Sequence, residues 1–187
     1  VARKNYVATK KASRAKKSKK RRTTAVAAPE PPRDRPTFVE SYGIKPDGKG
    51  LIAWDDVCTR LAKSRNYWVA TSRPDGRPHS MPVWGVWLDG ALIFGTDRNS
   101  RKARNLQRQP DAIVHLESGD DAVILECAAR EITNASEIAA IDAAYKKKYK
   151  MKLTEAPGTP YIVAMKPRVA FAWQERDFPV SATRWKF

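Results

Sequence analysis

The feature that most narrows the fold is a series of short apolar stretches broken by tight-turn residues. Asn66 to Ser72 reads as a strand, followed by Arg73-Pro74-Asp75-Gly76-Arg77-Pro78. Pro-Asp-Gly supplies a turn, because proline presets φ and glycine tolerates positive φ. A second strand, roughly His79 to Leu88, reaches another turn at Asp89-Gly90, and a third follows from Ala91 to Thr96. Three strands joined in this way form an antiparallel meander. Ala112 to Glu117 and Ala122 to Ile132 give two more around Ser118-Gly119-Asp120, and Tyr161 to Gln174 gives the last long one. About six strands with few helices indicate a barrel and not alternating βαβ units. Pro82 removes a backbone donor in mid-strand, so that strand should lie at an edge or carry a bulge there.

Three segments read as helices. In Trp54-Asp55-Asp56-Val57, two acids occupy the first turn, and Trp54, Val57 and Leu61 share one side, which indicates packing. Asn134 with Glu137 forms a capping box for a helix to about Tyr149, with Ile138, Ile141 and Tyr145 on its apolar face. Lys146, Lys147, Lys148 and Lys150 suit the negative end of that helix, so this charge run reads as structural.

The third helix lies in ALIFGTDRNSRKARNLQRQP, Ala91 to Pro110, a strand, a polar turn and a helix ending before Pro110. Asn99 or Ser100 can cap it. Arg101 and Lys102 then fall in the first turn, where the helix dipole disfavours cations. Two cations there make sense if an anion binds, since exposed N–H groups and fixed positive charge would both face a phosphate. The plainer reading is a basic helix whose long side chains lie in water. Charge pattern alone leaves both open.

The chain has 187 residues, with 36 Lys and Arg against 20 Asp and Glu, a net charge of +16. Residues 1–35 hold 13 basic and 2 acidic residues, which leaves 23 and 18 for the remainder. High basicity is therefore mainly a property of the N-terminal stretch. Residues 1–28, with KKASRAKKSKKRR, have almost nothing to bury and are expected to be a disordered basic tail. That tail reads either as a non-specific nucleic-acid arm, held by salt-sensitive phosphate contacts, or as a solvated appendage. Residues 29–50, with PEPPRDRP, read as a Pro-rich, stiff linker, and residues 51–187 as the barrel domain. A hydrophobic fraction of 42% and six Trp supply its core.

Cys58 and Cys127 have no metal-like spacing and form no disulfide framework, which fits a reducing, cytoplasmic setting. No apolar run approaches the about 20 residues a membrane-spanning helix needs, and no secretory signal is evident. His79 and His115 lack partners at ligand spacing, so no metal is expected. The nucleophile-elbow, P-loop and dinucleotide fingerprints are also missing. A chain with no acid–base constellation can still be an enzyme if a bound redox cofactor carries the hard step.

The series YWVATSRPDGRPHSMPVWGVWLDGALIFGTDRNSRKARNLQRQPDAIVHLESGD resembles the split-barrel flavin/deazaflavin family that includes pyridoxamine 5'-phosphate oxidase. It is most similar to the actinobacterial branch of deazaflavin-dependent reductases that use coenzyme F-420. The likeness covers roughly Trp54 to Phe187, including the terminal TRWKF. It implies a mainly β (α+β) fold, a six-stranded antiparallel split β-barrel with flanking helices of the FMN-binding type. It also implies a homodimer with cofactor at the interface and hydride transfer to a small organic acceptor, with FMN as the alternative cofactor.

By the same resemblance, Met81, Pro82, Val83 and Trp84 support the cofactor ring, and Gly95 and Thr96 approach it from the next strand. Ser100, Arg101 and Lys102 hold the phosphate, with Asn105 one turn later. Val83, Trp84 and Trp87 would form a dry apolar wall. No residue is assigned as general acid, His79 being a weak candidate. Met81 stands where the true oxidases carry Arg, and the C-terminus differs, so vitamin B6 oxidation is not expected.

Overall fold

In the computed structural model, residues 30–187 are described; the basic tail expected over residues 1–28 lies outside the described residues. Among them, nine strands run in order as β1 (Arg33–Asp34), β2 (Asn66–Ser72), β3 (Pro78–Trp84), β4 (Val86–Leu88) and β5 (Ala91–Asp97), then β6 (Asp111–His115), β7 (Asp121–Glu131), β8 (Pro160–Gln174) and β9 (Thr183–Lys186). Helices α1 (Trp54–Lys63), α2 (Arg101–Arg108), α3 (Ala135–Tyr149) and α4 (Phe178–Ser181) flank them.

The turn chemistry sets the meander. Asp89 and Gly90 both take positive φ (50° and 74°), the paired left-handed geometry of a tight hairpin. In the β2–β3 turn, the Gly76 N–H donates to the Arg73 carbonyl at 2.9 Å and Asp75 accepts from the Arg77 N–H at 3.1 Å. All nine strands join one antiparallel sheet: seven run in the order β1-β9-β8-β7-β6-β2-β3, while β5 branches from β8 and carries β4. Strand β8 has β7 along one side. Its other side is shared between β5, opposite Pro160–Met165, and β9, opposite Val169–Ala172. That division is the split of the barrel, and the sheet does not close. Strand β3 is a terminal strand of the path, so Pro82, opposite Trp68, sits on an edge as a missing donor requires.

The expected strand from His79 to Leu88 is divided at Gly85, so that β3 stays with β2 while β4 turns to β5. A Cβ at Gly85 would lie 2.7 Å from Leu92 Cδ1 and 3.0 Å from the Ile93 carbonyl oxygen, so only glycine lets the chain cross there. This division, with the short β1 and β9, accounts for nine strands where about six were expected.

The barrel interior is built from alternate residues such as Tyr67 and Val69 of β2, Leu92 and Phe94 of β5, and Val163 and Met165 of β8, all 0% exposed. Val57 and Leu61 of α1 and Ala103 and Leu106 of α2 join this core. Helix α3 buries Ile141 and Tyr145 in a second cluster with Ile93 and Ile162.

Asn134 caps α3, its Oδ1 accepting from the N–H groups of Ser136 (3.0 Å) and Glu137 (3.1 Å). The Glu137 carboxylate pairs with Arg130 at 2.7 Å, so the side-chain cap runs one way. We expect Asn134→Ala to cost about 1 kcal/mol, a fall of about 2–4 °C in Tm for a chain of this size by thermal denaturation. Of the lysine run, Lys146, Lys147 and Lys150 are exposed at the helix end, but Lys148 turns inward against Tyr67.

Residues 30–50, expected as a linker, are extended but seated on the barrel. Arg33–Asp34 pairs with β9, and Arg184 grips Asp34 through two hydrogen bonds of 2.7 and 2.6 Å. Arg35 donates to the Ala182 carbonyl at 2.9 Å and to the Asp47 carbonyl at 3.1 Å. No helix of the described residues is long and apolar enough to cross a membrane.

Candidate functional site

Helix α2 starts at the end of β5. Ser100, not Asn99, is its N-cap: Ser100 Oγ accepts from the Ala103 N–H at 3.1 Å. The Thr96 hydroxyl donates to the same oxygen at 3.1 Å, tying the strand end to the cap. With Thr96 as the donor of that pair, the Ser100 hydroxyl proton is left without an acceptor among the described residues. A helix start also leaves its first backbone N–H groups without intrahelical partners, here those of Arg101 and Lys102.

The nearby charges sort into paired and unpaired. Asp97 turns its carboxylate into the turn ahead of α2, accepting from Asn99 N–H at 2.7 Å and Thr159 N–H at 2.9 Å. Arg98 pairs with Glu131 and lies over the Tyr161 ring, 5.2 Å from its centroid. The first turn of α2 holds no acid. Arg101 is exposed and Lys102 half-buried, and neither forms an ion pair among the described residues. Burial holds the Lys102 ammonium pKa below its ordinary value, the mark of a cation losing water without gaining a counter-charge. Backbone N–H groups, a free hydroxyl proton and two unpaired cations are the donor set a phosphate group requires.

The other expected residues serve this cluster differently. Asn105 is 2% exposed; its amide nitrogen donates to Thr71 Oγ1 at 2.9 Å, and that hydroxyl donates to the His79 carbonyl at 3.3 Å. Asn105 therefore fastens α2 to β2 and to the start of β3. A Cβ at Gly95 would lie 2.5 Å from Leu153 Cδ1, so the absence of a side chain there admits Leu153. On β3, Met81 and Trp84 are 47% and 44% exposed, Pro82 is exposed and Val83 leans on the core. Trp87, expected in the apolar wall, instead meets Trp54 edge-on at 6.3 Å within the core cluster. His115 stacks on Trp68 (6.2 Å, 4° between planes), a packing role.

Sequence reasoning missed what surrounds Trp84. Its indole stacks on Tyr149, with ring centroids 4.9 Å apart and planes 3° apart, beside Arg65 and Lys148. The local pattern holds no sign of it, because Trp84 and Tyr149 are 65 positions apart and meet only when α3 folds across the β3–β4 corner.

An antiparallel sheet whose longest strand is shared between β5 and β9 defines a class of protein by its fold, the split barrels of the pyridoxamine 5'-phosphate oxidase type. The chain belongs to the pyridoxamine 5'-phosphate oxidase family, whose sequence profile matches residues 54–174. No curated protein matches it significantly. Among solved structures, the conserved hypothetical protein Rv2991 of Mycobacterium tuberculosis is similar at TM-score 0.61 and 22% identity, covering 71% of this chain and 91% of that one. A putative pyridoxamine 5'-phosphate oxidase from Listeria innocua follows at TM-score 0.54 and 14% identity, covering 63% and 95%. A heme binding protein from Mycobacterium smegmatis shares the fold at TM-score 0.52 and 19% identity, covering 69% and 55%. The family includes oxidoreductases, and at these identities the structural likeness speaks for the fold.

Proposed function

We propose that this protein is a cytoplasmic deazaflavin-dependent reductase that passes a hydride from reduced coenzyme F-420 to a small organic acceptor. The observation that carries the reading is the start of α2, where Arg101 and Lys102 stand against the helix dipole without a carboxylate partner among the described residues. In this reading Ser100, Arg101 and Lys102 hold the cofactor's phosphate and Thr96 steadies the cap. Asn105 fixes the distance from α2 to the strand pair β2–β3. Met81, Pro82, Val83 and Trp84 would support the ring from an edge strand, Met81, Pro82 and Trp84 with exposed apolar surface and Val83 from its seat on the core. The bound deazaflavin supplies the redox chemistry; the chain's own residues orient it and exclude water.

The site is open on a single chain, and the exposed Met81 and Trp84 would be covered in a homodimer with the cofactor at the interface. The basic stretch over residues 1–28 would add a separate, non-specific contact with nucleic acid. The same donor set at α2 accepts the phosphate of FMN, which is the second reading. Titrating the full chain with oxidised deazaflavin and with FMN, each followed by its own fluorescence, separates them. We expect the deazaflavin to bind with a Kd on the order of 1 μM and FMN more weakly. Tighter FMN binding selects the second reading, and no response to either cofactor overturns both.

A further inference from the structure

Two cations meet at the β3–β4 corner with no acid between them. The Arg65 guanidinium carbon lies 5.1 Å from the Trp84 ring centroid and 5.7 Å from that of Tyr149. Lys148 Nζ lies 4.8 Å from the Tyr67 ring centroid and 5.2 Å from that of Tyr149. Neither cation forms an ion pair among the described residues. Lys148 donates to the Tyr67 hydroxyl at 2.9 Å and the Gly85 carbonyl at 2.8 Å, so one of its three ammonium protons has no acceptor there. The Tyr149 hydroxyl accepts from the Gly85 N–H at 2.9 Å, and Tyr145 donates to the Trp84 carbonyl at 2.9 Å, which fixes the aromatic pair rigidly over the corner.

A purely structural clamp accounts for part of this. Lys148 bridging Tyr67 and Gly85 holds α3 to the corner. Cation–π contact with both rings holds Arg65 there, yet Arg65 adds like-charge repulsion to Lys148, and its side chain makes no hydrogen bond among the described residues, so the charge of the pair is left unanswered by the clamp. Burial, with Arg65 nearby, brings the Lys148 pKa down to about 8, the cost of an absent counter-charge. Next to the cations stands a stacked indole whose surface is still 44% exposed. Flat apolar surface flanked by uncompensated positive charge matches a ligand that is flat, apolar and negative at its rim.

We propose that Arg65, Lys148 and the Trp84–Tyr149 stack form a binding site for a planar aromatic anion, an aryl carboxylate or phenolate, with its ring against Trp84 and its charge between the two cations. The ligand is either the reducible acceptor or the ring portion of the cofactor; both present the same chemistry. The site stands on its own geometry and does not depend on a phosphate at α2.

The test uses the full chain without cofactor, titrated calorimetrically with 2-naphthoate and with its neutral counterpart 2-naphthylmethanol. We expect the carboxylate to bind at least about tenfold more tightly, and Arg65→Gln to weaken it by about tenfold. Arg65 is exposed, so this variant keeps the fold. Lys148→Met should do the same, with Lys148→Arg restoring most of the affinity. The charged form of Lys148 binds the anion, so affinity falls as pH rises through about 8 in the native chain and not in Lys148→Arg. The phenols facing Lys148 do not titrate there: burial raises the pKa of Tyr67, Tyr145 and Tyr149 above that of a free phenol, and the Arg65 guanidinium beside it adds a positive charge. Equal affinity for the acid and the alcohol, or no effect of Arg65→Gln, overturns the proposal. Repeating the titration with the deazaflavin present assigns the ligand: a ternary complex points to the acceptor, and competition points to the cofactor's ring. Because the probe carries no phosphate, a failure here leaves the α2 reading standing, and a failure at α2 leaves this site standing.

Discussion

The Arg101→Ala, Lys102→Ala double variant should lose at least about 100-fold in affinity for its cofactor, while its Tm rises by about 1–8 °C. Hydrogen bonds to charged groups contribute about 1.5–3 kcal/mol each, and each 1.4 kcal/mol is about tenfold in Kd. Removing two such hydrogen bonds together therefore exceeds the threshold. Stability moves the other way, because removing two cations from a helix start relieves about 0.3–1 kcal/mol apiece of dipole repulsion. Alanine also suits the helix. That opposition separates a binding role from a passive one. If Arg101 and Lys102 merely lie in water, the variant becomes slightly more stable and binds cofactor as before. Ser100→Ala is the contrasting case, since it removes both the N-cap of α2 and the free hydroxyl proton. It should lower Tm through the loss of about 1 kcal/mol of capping and weaken binding as well. Fluorescence titration beside thermal denaturation reads both quantities for each variant.

Much of the fold and part of the site were legible because their causes are local. Asp89-Gly90 announces a hairpin through two residues that tolerate positive φ, and both adopt it. Asn134 announces a helix start, and Pro82 an edge strand, each through a hydrogen bond that a short segment must make or cannot make. The cluster at α2 was legible for the same reason, since cap, dipole and charge lie within a few residues.

What stayed hidden depends on contacts between distant segments. Gly85 divides one apparent strand into two because Leu92 and Ile93 leave no room for a side chain, and the strand's own alternation carries no trace of that. Asn105 is placed beside the phosphate residues by the family resemblance, while its amide nitrogen is spent on Thr71 of β2, a contact no local pattern announces. Lys148 reads as one of four lysines suiting the negative end of α3 until Tyr67 and Gly85 come within hydrogen-bond reach. Residues 30–50 have the composition of a linker, but Arg184 and the Val180–Ala182 backbone are waiting for Asp34 and Arg35.

That docking hangs on Trp185, and Trp185→Ala should be the most damaging single change among the aromatic residues at the C-terminus. Trp185 is 0% exposed, pairs with Ala170 on one side and Arg33 on the other, and its ring centroid lies 5.3 Å from that of Trp54. Trp54 in turn lies 4.8 Å from Phe187 and opens α1, so one indole joins β9, β1 and α1 to the barrel. Truncating a buried Trp costs about 3–5 kcal/mol, which at this chain length corresponds to roughly 6–20 °C in Tm. Trp185→Phe should behave quite differently. The indole nitrogen is buried without a hydrogen-bond partner among the described residues, so phenylalanine removes an unsatisfied donor along with some volume. Relief of that donor, worth about 1–3 kcal/mol, offsets most of the cavity term, and the variant should stay within about 1 kcal/mol of the native chain. Urea denaturation checks both through the midpoint at unchanged slope. Amide exchange should also show β1 and β9 losing protection in Trp185→Ala before β7 and β8 do, because β1 has only β9 to pair with and β9 is held to β8 over four residues.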